Sequence, residues 1–256
     1  MKPNTHLFVP DTQVKPGVST EHIEALGNYI ETKRFEKVIV AGDWWDMPSG
    51  SRHKDPLESE GLRIIDDIEC GKAAMSKLWR SVDKRNKRVA GWKKKQYQPE
   101  KHFLMGNHEE QLSRFWKNDP RLKGLIDFSV FGLEHHGFRI HDFLTPVDID
   151  GILYCHYFAN PNSGRPYGGM IETRLKNIAQ SFTQGHAQSF AYGEREVPNG
   201  KRHHGLVAGA FYMHDEDYKG PYGNHHWRGV VVKNEVKDGE YDIMKVSLRY
   251  LLEKYL

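Results

Sequence analysis

Apolar residues in this chain come in short runs, and five of those runs end abruptly on a side chain able to bind a metal ion. Leu7-Phe8-Val9 leads to Asp11, Val38-Ile39-Val40 to Asp43, and Phe103-Leu104-Met105 to Asn107 and His108. Ile152-Leu153-Tyr154-Cys155 leads to His156, and Phe182-Thr183-Gln184 to His186 and Gln188. Runs of this length predict buried strands. Ligands in open α/β sheets sit beyond the carboxyl ends of strands, so the side chains that close the runs are predicted to converge on one rim. Two carboxylates, an amide and two imidazoles there describe a cation site, with donors enough for two ions, and point to a metallohydrolase.

Between the runs the period changes. Thr20 is a candidate N-cap, Glu21 and Glu24 suit a first helical turn, and Ile23, Leu26 and Ile30 mark one helical face. Asp55-Pro56-Leu57-Glu58 reads as a helix start, and Leu57, Ile64, Ile68, Met75, Leu78 and Val82 continue the spacing, weakened locally by Gly71. Residues 110 to 127 read as helical up to Pro120 and irregular beyond it. Residues 204 to 256 read as several strands, two of them joined by a turn at Lys237-Asp238-Gly239. Early alternation of strand and helix followed by late strands predicts an α/β fold with two sheets.

Composition narrows the class without naming a function. The 256 residues show no repeat or linker, which predicts a single domain over 1–256 with a helical insertion at about 50–100. With 28% charged residues, a mean hydropathy of -0.71 and no apolar run near the ~20 residues of a membrane span, a soluble protein is expected. The N-terminus enters a strand at once and lacks the apolar stretch of a secretory signal. Cys70 and Cys155 are too few for a disulfide framework. A cytoplasmic location follows as an expectation, with no obligate protein partner inferred.

Charge placement says more than net charge. Between Arg80 and Lys95 stand eight basic residues against one acid, so this segment carries +7 in a chain whose net charge is +3. Trp92 and Tyr97 are interleaved. Lys84, Arg85, Lys87, Arg88, Trp92, Lys93, Lys94 and Lys95 therefore form a candidate nucleic-acid surface, DNA or RNA, with a merely solvated helix face as the competing reading. Lying between the runs that end at Asp43 and Asn107, the segment is expected near the site. Trp44 and Trp45 are candidate walls for a base or sugar, with simple packing the alternative. His203-His204 and His225-His226 read as surface histidines, His214-Asp215-Glu216-Asp217 as an exposed loop, and Tyr241, Tyr250 and Tyr255 as core.

The order Asp11, Gly42-Asp43-Trp44-Trp45-Asp46, Gly106-Asn107-His108-Glu109, His156, Gly185-His186-Ala187-Gln188 resembles the calcineurin-like metallophosphoesterases. The resemblance covers five blocks in the family's order and is most similar to the small members encoded by bacteriophages, which implies the host cytosol. It implies a four-layer α/β/β/α sandwich of two mixed sheets flanked by helices, with a two-metal centre at the rim. Asp43 would bridge both metals, and Asn107, His156 and His186 would complete the second. His108 would stand beside the substrate as proton donor, with Asp46 holding it charged. The family's histidines are replaced here by Gln13 and Gln188. The first metal would then see Asp11, Gln13, Asp43 and Gln188, an oxygen-rich and weaker site that favours Mn²⁺ or Mg²⁺. Met47 replaces the arginine of the protein phosphatases, with Arg114 or Arg165 as possible substitutes. The expectation is a metal-dependent phosphodiesterase or nuclease acting on a phosphoester of nucleic acid or nucleotides. A phosphomonoesterase and a non-catalytic nucleic-acid-binding module on the same fold are the alternatives.

Overall fold

The structure, a computed structural model, describes residues 4–51, 60–124, 126–216 and 220–256. The helix start at Asp55-Pro56-Leu57-Glu58 and residue Asp217 lie outside the described residues. The strands are β1 His6–Val9, β2 Lys37–Val40, β3 Glu100–Leu104, β4 Arg139–His141, β5 Val147–Ile149 and β6 Ile152–Cys155. They continue as β7 Phe182–Gln184, β8 Phe190–Glu196, β9 Arg202–Ala208, β10 Gly229–Lys237 and β11 Glu240–Ser247. The helices are α1 Glu21–Lys33, α2 Ile64–Gly91, α3 Asn107–Glu110, α4 Ser113–Asn118, α5 Ile171–Ile178, α6 Gly220–Gly223 and α7 Leu248–Tyr255.

Two mixed sheets result, a six-stranded one in the order β11-β10-β1-β2-β3-β4 and a five-stranded one in the order β5-β6-β7-β9-β8. β1 to β4 run parallel, β10 lies antiparallel to β1 and β11 antiparallel to β10, while β6, β7 and β9 run parallel with β5 and β8 antiparallel to them. Side chains alternate across a strand, so each buried run serves two layers. Leu7 and Val9 face one core with Val38, Val40 and the apolar residues of α1 and α2, whereas Phe8 and Ile39 face a second core. That second core lies between the sheets, with Leu104 and Val231 from one and Ile152, Tyr154, Leu206 and Ala208 from the other. On the far side of the second sheet, Cys155 and Val207 pack with Ile171 and Leu175 of α5. Burial on both faces explains why the runs are continuously apolar rather than alternating.

Several local expectations need correction. Thr20 occupies the N-cap position of α1, yet its hydroxyl makes no capping bond and instead accepts from Lys77 Nζ at 2.7 Å. α2 passes Gly71 without a break. A Cβ there would stand 1.8 Å from Nε1 of Trp45, so Gly71 is where the helix lets an indole lie against its backbone. The C-terminal segment is not all strand: Ser247 accepts from the amide of Tyr250 at 3.2 Å and starts α7, whose Leu251 is buried. Tyr241 is core as expected, but Tyr250 is 44% exposed.

Candidate metal centre

All five predicted strands exist, and the side chains expected to close them come together where both sheets present carboxyl ends. The His186 amide donates to Asp11 Oδ1 at 2.9 Å, the Gly185 amide to the His156 carbonyl at 3.1 Å, and His156 Nδ1 lies 2.8 Å from the Ala41 carbonyl. These three contacts tie β7 to β1, β7 to β6 and β6 to β2 at one rim.

Asn107 Oδ1 lies 2.9 Å from His156 Nε2 and 2.8 Å from His186 Nδ1, and Asp43 Oδ2 is 3.4 Å from His156 Nε2. Ligand atoms of Asp43, His156 and His186 all fall within 4.8 Å of one another. Donors about 2.1 Å from one small cation, at octahedral to tetrahedral angles, stand roughly 3.0–3.4 Å apart. The separations of 2.8, 2.9 and 3.4 Å lie near that range, which makes Asp43, Asn107, His156 and His186 a candidate set for a single ion. The Ala41 carbonyl fixes the proton on Nδ1 of His156 and leaves Nε2 facing the cluster, the usual arrangement behind a ligating histidine.

The oxygen-rich half is built from the neighbouring loops. Asp11 and Gln13 are fully buried; Asp11 Oδ2 and both side-chain amide atoms of Gln13 have no hydrogen-bond partner of ordinary geometry. Leaving such atoms unpaired costs about 1–3 kcal/mol each, so a cation that accepts these oxygens fits the chemistry of the pocket. Gln188 is also buried, and its Oε1 accepts from the Tyr212 hydroxyl at 2.8 Å, an orienting contact that the sequence did not signal. Gln13, Asp43, His186 and Gln188 all have positive φ, at 44°, 47°, 62° and 54°. Non-glycine residues in that region store strain and need support from the surrounding structure.

Glu109 supplies that support. Its Oε2 accepts from the amides of Asp43 at 2.8 Å and Gly106 at 2.9 Å, and its Oε1 from those of Trp44 at 2.8 Å and Trp45 at 3.1 Å. The Asp43 carbonyl in turn accepts from the amides of Thr12 and Gln13, at 3.0 and 2.9 Å. A Cβ at Gly106 would lie 2.2 Å from Asp43 Oδ1, so only glycine lets these two loops close.

Electrostatics follow from two buried carboxylates. Burial, then the charge of Asp43, push the Asp11 carboxyl up to about 6. Burial also works to raise Asp43, but His156 and His108 outweigh it and hold that carboxyl below the usual range. Burial depresses His156, yet the Asp43 carboxylate carries it up to about 9. Burial and the neighbouring His156 lower His186 to about 4. The pocket draws positive charge, as a cation cradle must.

His108 stands beside the cluster. Its Nδ1 hydrogen-bonds the Asp46 carbonyl with the Asp46 carboxylate 3.5 Å away, and its Nε2 is 3.8 Å from Asp43 Oδ2. Burial opposes its charge, but Asp43 and Asp46 raise its pKa. Asp46 is shared with Lys15, whose Nζ is 3.2 Å from Asp46 Oδ2 and 3.0 Å from both oxygens of Glu216. His214 Nε2 meets Glu216 at 2.6 Å, and its ring stacks on Tyr212. Glu216 is thus buried, not part of an exposed loop. Tyr157, 4.5 Å from His186 between ring centroids, is another site neighbour that the sequence reading missed.

Other candidates fall away. Trp44 and Trp45 are fully buried, and their indole N–H groups bond carbonyls of α2, so neither walls a substrate pocket. His204 is buried and bonded to Tyr192 rather than lying at the surface, and no residue of the two histidine pairs joins the metal cluster. Neither Arg114 nor Arg165 is bonded to a site residue among the described residues. The basic segment is the largest correction. α2 touches the rim at Ile68 and Gly71 and then runs away from it for another 20 residues, about 30 Å, to Gly91. There Tyr97 bonds the Phe35 carbonyl, just ahead of β2 at the opposite end of the sheet. Arg85 pairs with Glu31 at 2.6 Å, while Lys84, Lys87, Arg88, Trp92, Lys93, Lys94 and Lys95 are exposed. Closeness in sequence to Asp43 and Asn107 did not bring these residues to the site.

No family model matches the chain, and no curated protein matches its sequence. A solved structure, 10% identical, covers 96% of this chain and 100% of its own with a TM-score of 0.36, a likeness too loose to support any argument.

Proposed function

We propose that this chain is a metal-dependent phosphoesterase of the calcineurin-like type, acting on phosphodiesters of nucleic acid or nucleotides through two divalent ions, with Mn²⁺ or Mg²⁺ favoured. The observation that carries the reading is the cluster of Asp43, Asn107, His156 and His186 at ligand spacing, with His108 poised beside it. The unpaired oxygens of Asp11 and Gln13 extend the cradle on one side and support a second, oxygen-rich position completed by Asp43 and Gln188. The layered arrangement of helices about two mixed sheets suits the four-layer sandwich of that family.

Bound divalent ions would supply Lewis-acid polarisation of the phosphoryl group and of the attacking water. The protein's own groups do the rest. Asp46 fixes Nδ1 of His108 through its carbonyl and keeps the ring charged through its carboxylate, so that Nε2 can donate a proton to the leaving oxygen. Lys15 is engaged by Asp46 and Glu216 and acts by positioning Asp46, not by clamping substrate. A diester carries one negative charge where a monoester carries up to two, and among the described residues no guanidinium is bonded to Asp43, Asn107, His108, His156 or His186 to hold a dianion. That favours a diesterase over a monoesterase.

The test is hydrolysis of bis-p-nitrophenyl phosphate with Mn²⁺ by wild type and Asp43→Asn. Turnover that falls about a thousandfold or more in the variant is expected, because the shared carboxylate contributes several kcal/mol. Equal rates for the two proteins with Mn²⁺, Mg²⁺ and Zn²⁺ would overturn the assignment and favour the non-catalytic alternative.

A further inference from the structure

The far end of α2 carries an organised surface that the metal centre does not use. Arg80, Lys84, Lys87 and Arg88 fall at i, i+4, i+7 and i+8, which places them on one helical face. All four are exposed, and none has a carboxylate within ion-pair distance among the described residues. The stripe ends at Trp92, which is 60% exposed. Arg88 and Lys94 flank its ring at 5.8 and 5.6 Å from the centroid. From Arg80 to Trp92 the surface is about 18 Å long. Between α1 and α2 a groove of about 390 Å³ runs beside it, lined by Lys84, Arg85 and Arg88 with Asn28, Glu31 and Ser81.

We propose that this face of α2, with Trp92 at its end, is a docking surface for single-stranded nucleic acid, remote from the metal centre. Uncompensated cations in a row match a phosphate backbone. An exposed indole between two cations is a stacking platform, and only an unpaired base can lie on it, which selects a single strand over a duplex. Trp92 stands alone on an otherwise cationic face, so the surface lacks the apolar stripe by which a helix enters a lipid surface. A strand held here would have its nearby phosphates kept about 30 Å from the rim, so the surface tethers long strands while cleavage takes place elsewhere along them. Docking rests on charge and shape alone. The preference for long strands additionally rests on the phosphodiesterase reading.

The experiment is fluorescence anisotropy of a labelled thymidine oligonucleotide, in EDTA so that no hydrolysis intervenes. It compares wild type, Lys84→Glu/Lys87→Glu/Arg88→Glu and Trp92→Ala. The triple variant is expected to weaken binding about tenfold or more and to reduce the salt slope by about 2. Trp92→Ala is expected to weaken binding several-fold and to abolish quenching of tryptophan emission by the oligonucleotide. Both variants should hydrolyse bis-p-nitrophenyl phosphate as wild type does. Oligonucleotide affinity unchanged by both variants would overturn the proposal, as would tighter binding to anionic vesicles than to the oligonucleotide. Wild type that hydrolyses the small diester but binds no oligonucleotide sinks the docking surface alone. Wild type that binds the oligonucleotide through these residues but hydrolyses nothing sinks the phosphodiesterase reading alone.

Discussion

At the scale of single residues, Glu109 shows how one side chain can govern a site without entering it. Four backbone amides, those of Asp43, Trp44, Trp45 and Gly106, converge on its carboxylate. Those bonds hold Asp43 at φ 47° and so decide where its own carboxylate points. Removing the latch leaves buried donors unpaired, each costing about 1–3 kcal/mol. Glu109→Ala is therefore expected to lose about 3 kcal/mol or more in urea unfolding and to bind Mn²⁺ about 10–100-fold more weakly by titration calorimetry. A variant that lost stability but kept its Mn²⁺ affinity would show that the latch supports the fold and not the site. The chain displayed Glu109 within a recognisable block, yet nothing in its spacing indicated four amides, because those amides belong to loops closed by tertiary contact. Lys15 and Glu216, 201 residues apart, were equally hidden.

The elements carry a different kind of information. β1, β2, β3, β6 and β7 were legible because burial on both faces makes a strand apolar along its whole length. α7 was missed because its short pattern, Leu248, Leu251, Leu252 and Tyr255, is also compatible with a late strand until Ser247 is seen to cap it. Packing of α1 has a measurable consequence through His22, which is 2% exposed and edges the Phe211 ring. Burial, then the charge of His214, lower His22 to about 3, against about 6.5 in an unfolded chain. Between those values the unfolded chain takes up a proton that the folded chain cannot, so stability is lost as pH falls from about 6.5 toward about 3. Above that window His22 contributes no pH dependence. His22→Phe keeps the volume and removes the proton. Urea unfolding at about pH 7 and about pH 5 should show the variant losing about 2 kcal/mol less than wild type. An unchanged difference would mean that His22 is already protonated in the native state.

For the whole molecule, the two sheets pack over a shared apolar core and present their parallel strands' carboxyl ends to the same rim. On the proposed reading, a cation held there by Asp43 from one sheet and His156 and His186 from the other would bridge them. Ligand that binds only the folded state stabilises it by about 2.7 kcal/mol at a hundredfold excess over Kd, or roughly 5–10 °C for a chain of this size. Mn²⁺ should therefore raise the Tm by that order in wild type and not in Asp43→Asn, by scanning calorimetry in EDTA and then in excess metal. No shift with Mn²⁺, Mg²⁺ or Zn²⁺ would argue that the cradle is not a metal site. Sequence by itself determined the α/β class, the five strands and which side chains would close them, since these are consequences of local period and of burial. It could not determine distance. The basic segment sits between Asp43 and Asn107 in the chain, yet α2 carries it about 30 Å away, because a helix packed along a sheet moves its residues by 1.5 Å each. The partners of Gln188, the clamp on Asp43 and the Lys15–Asp46–Glu216 bridge were decided by tertiary packing alone, since only the closing of loops from distant strands brings those groups within bonding reach.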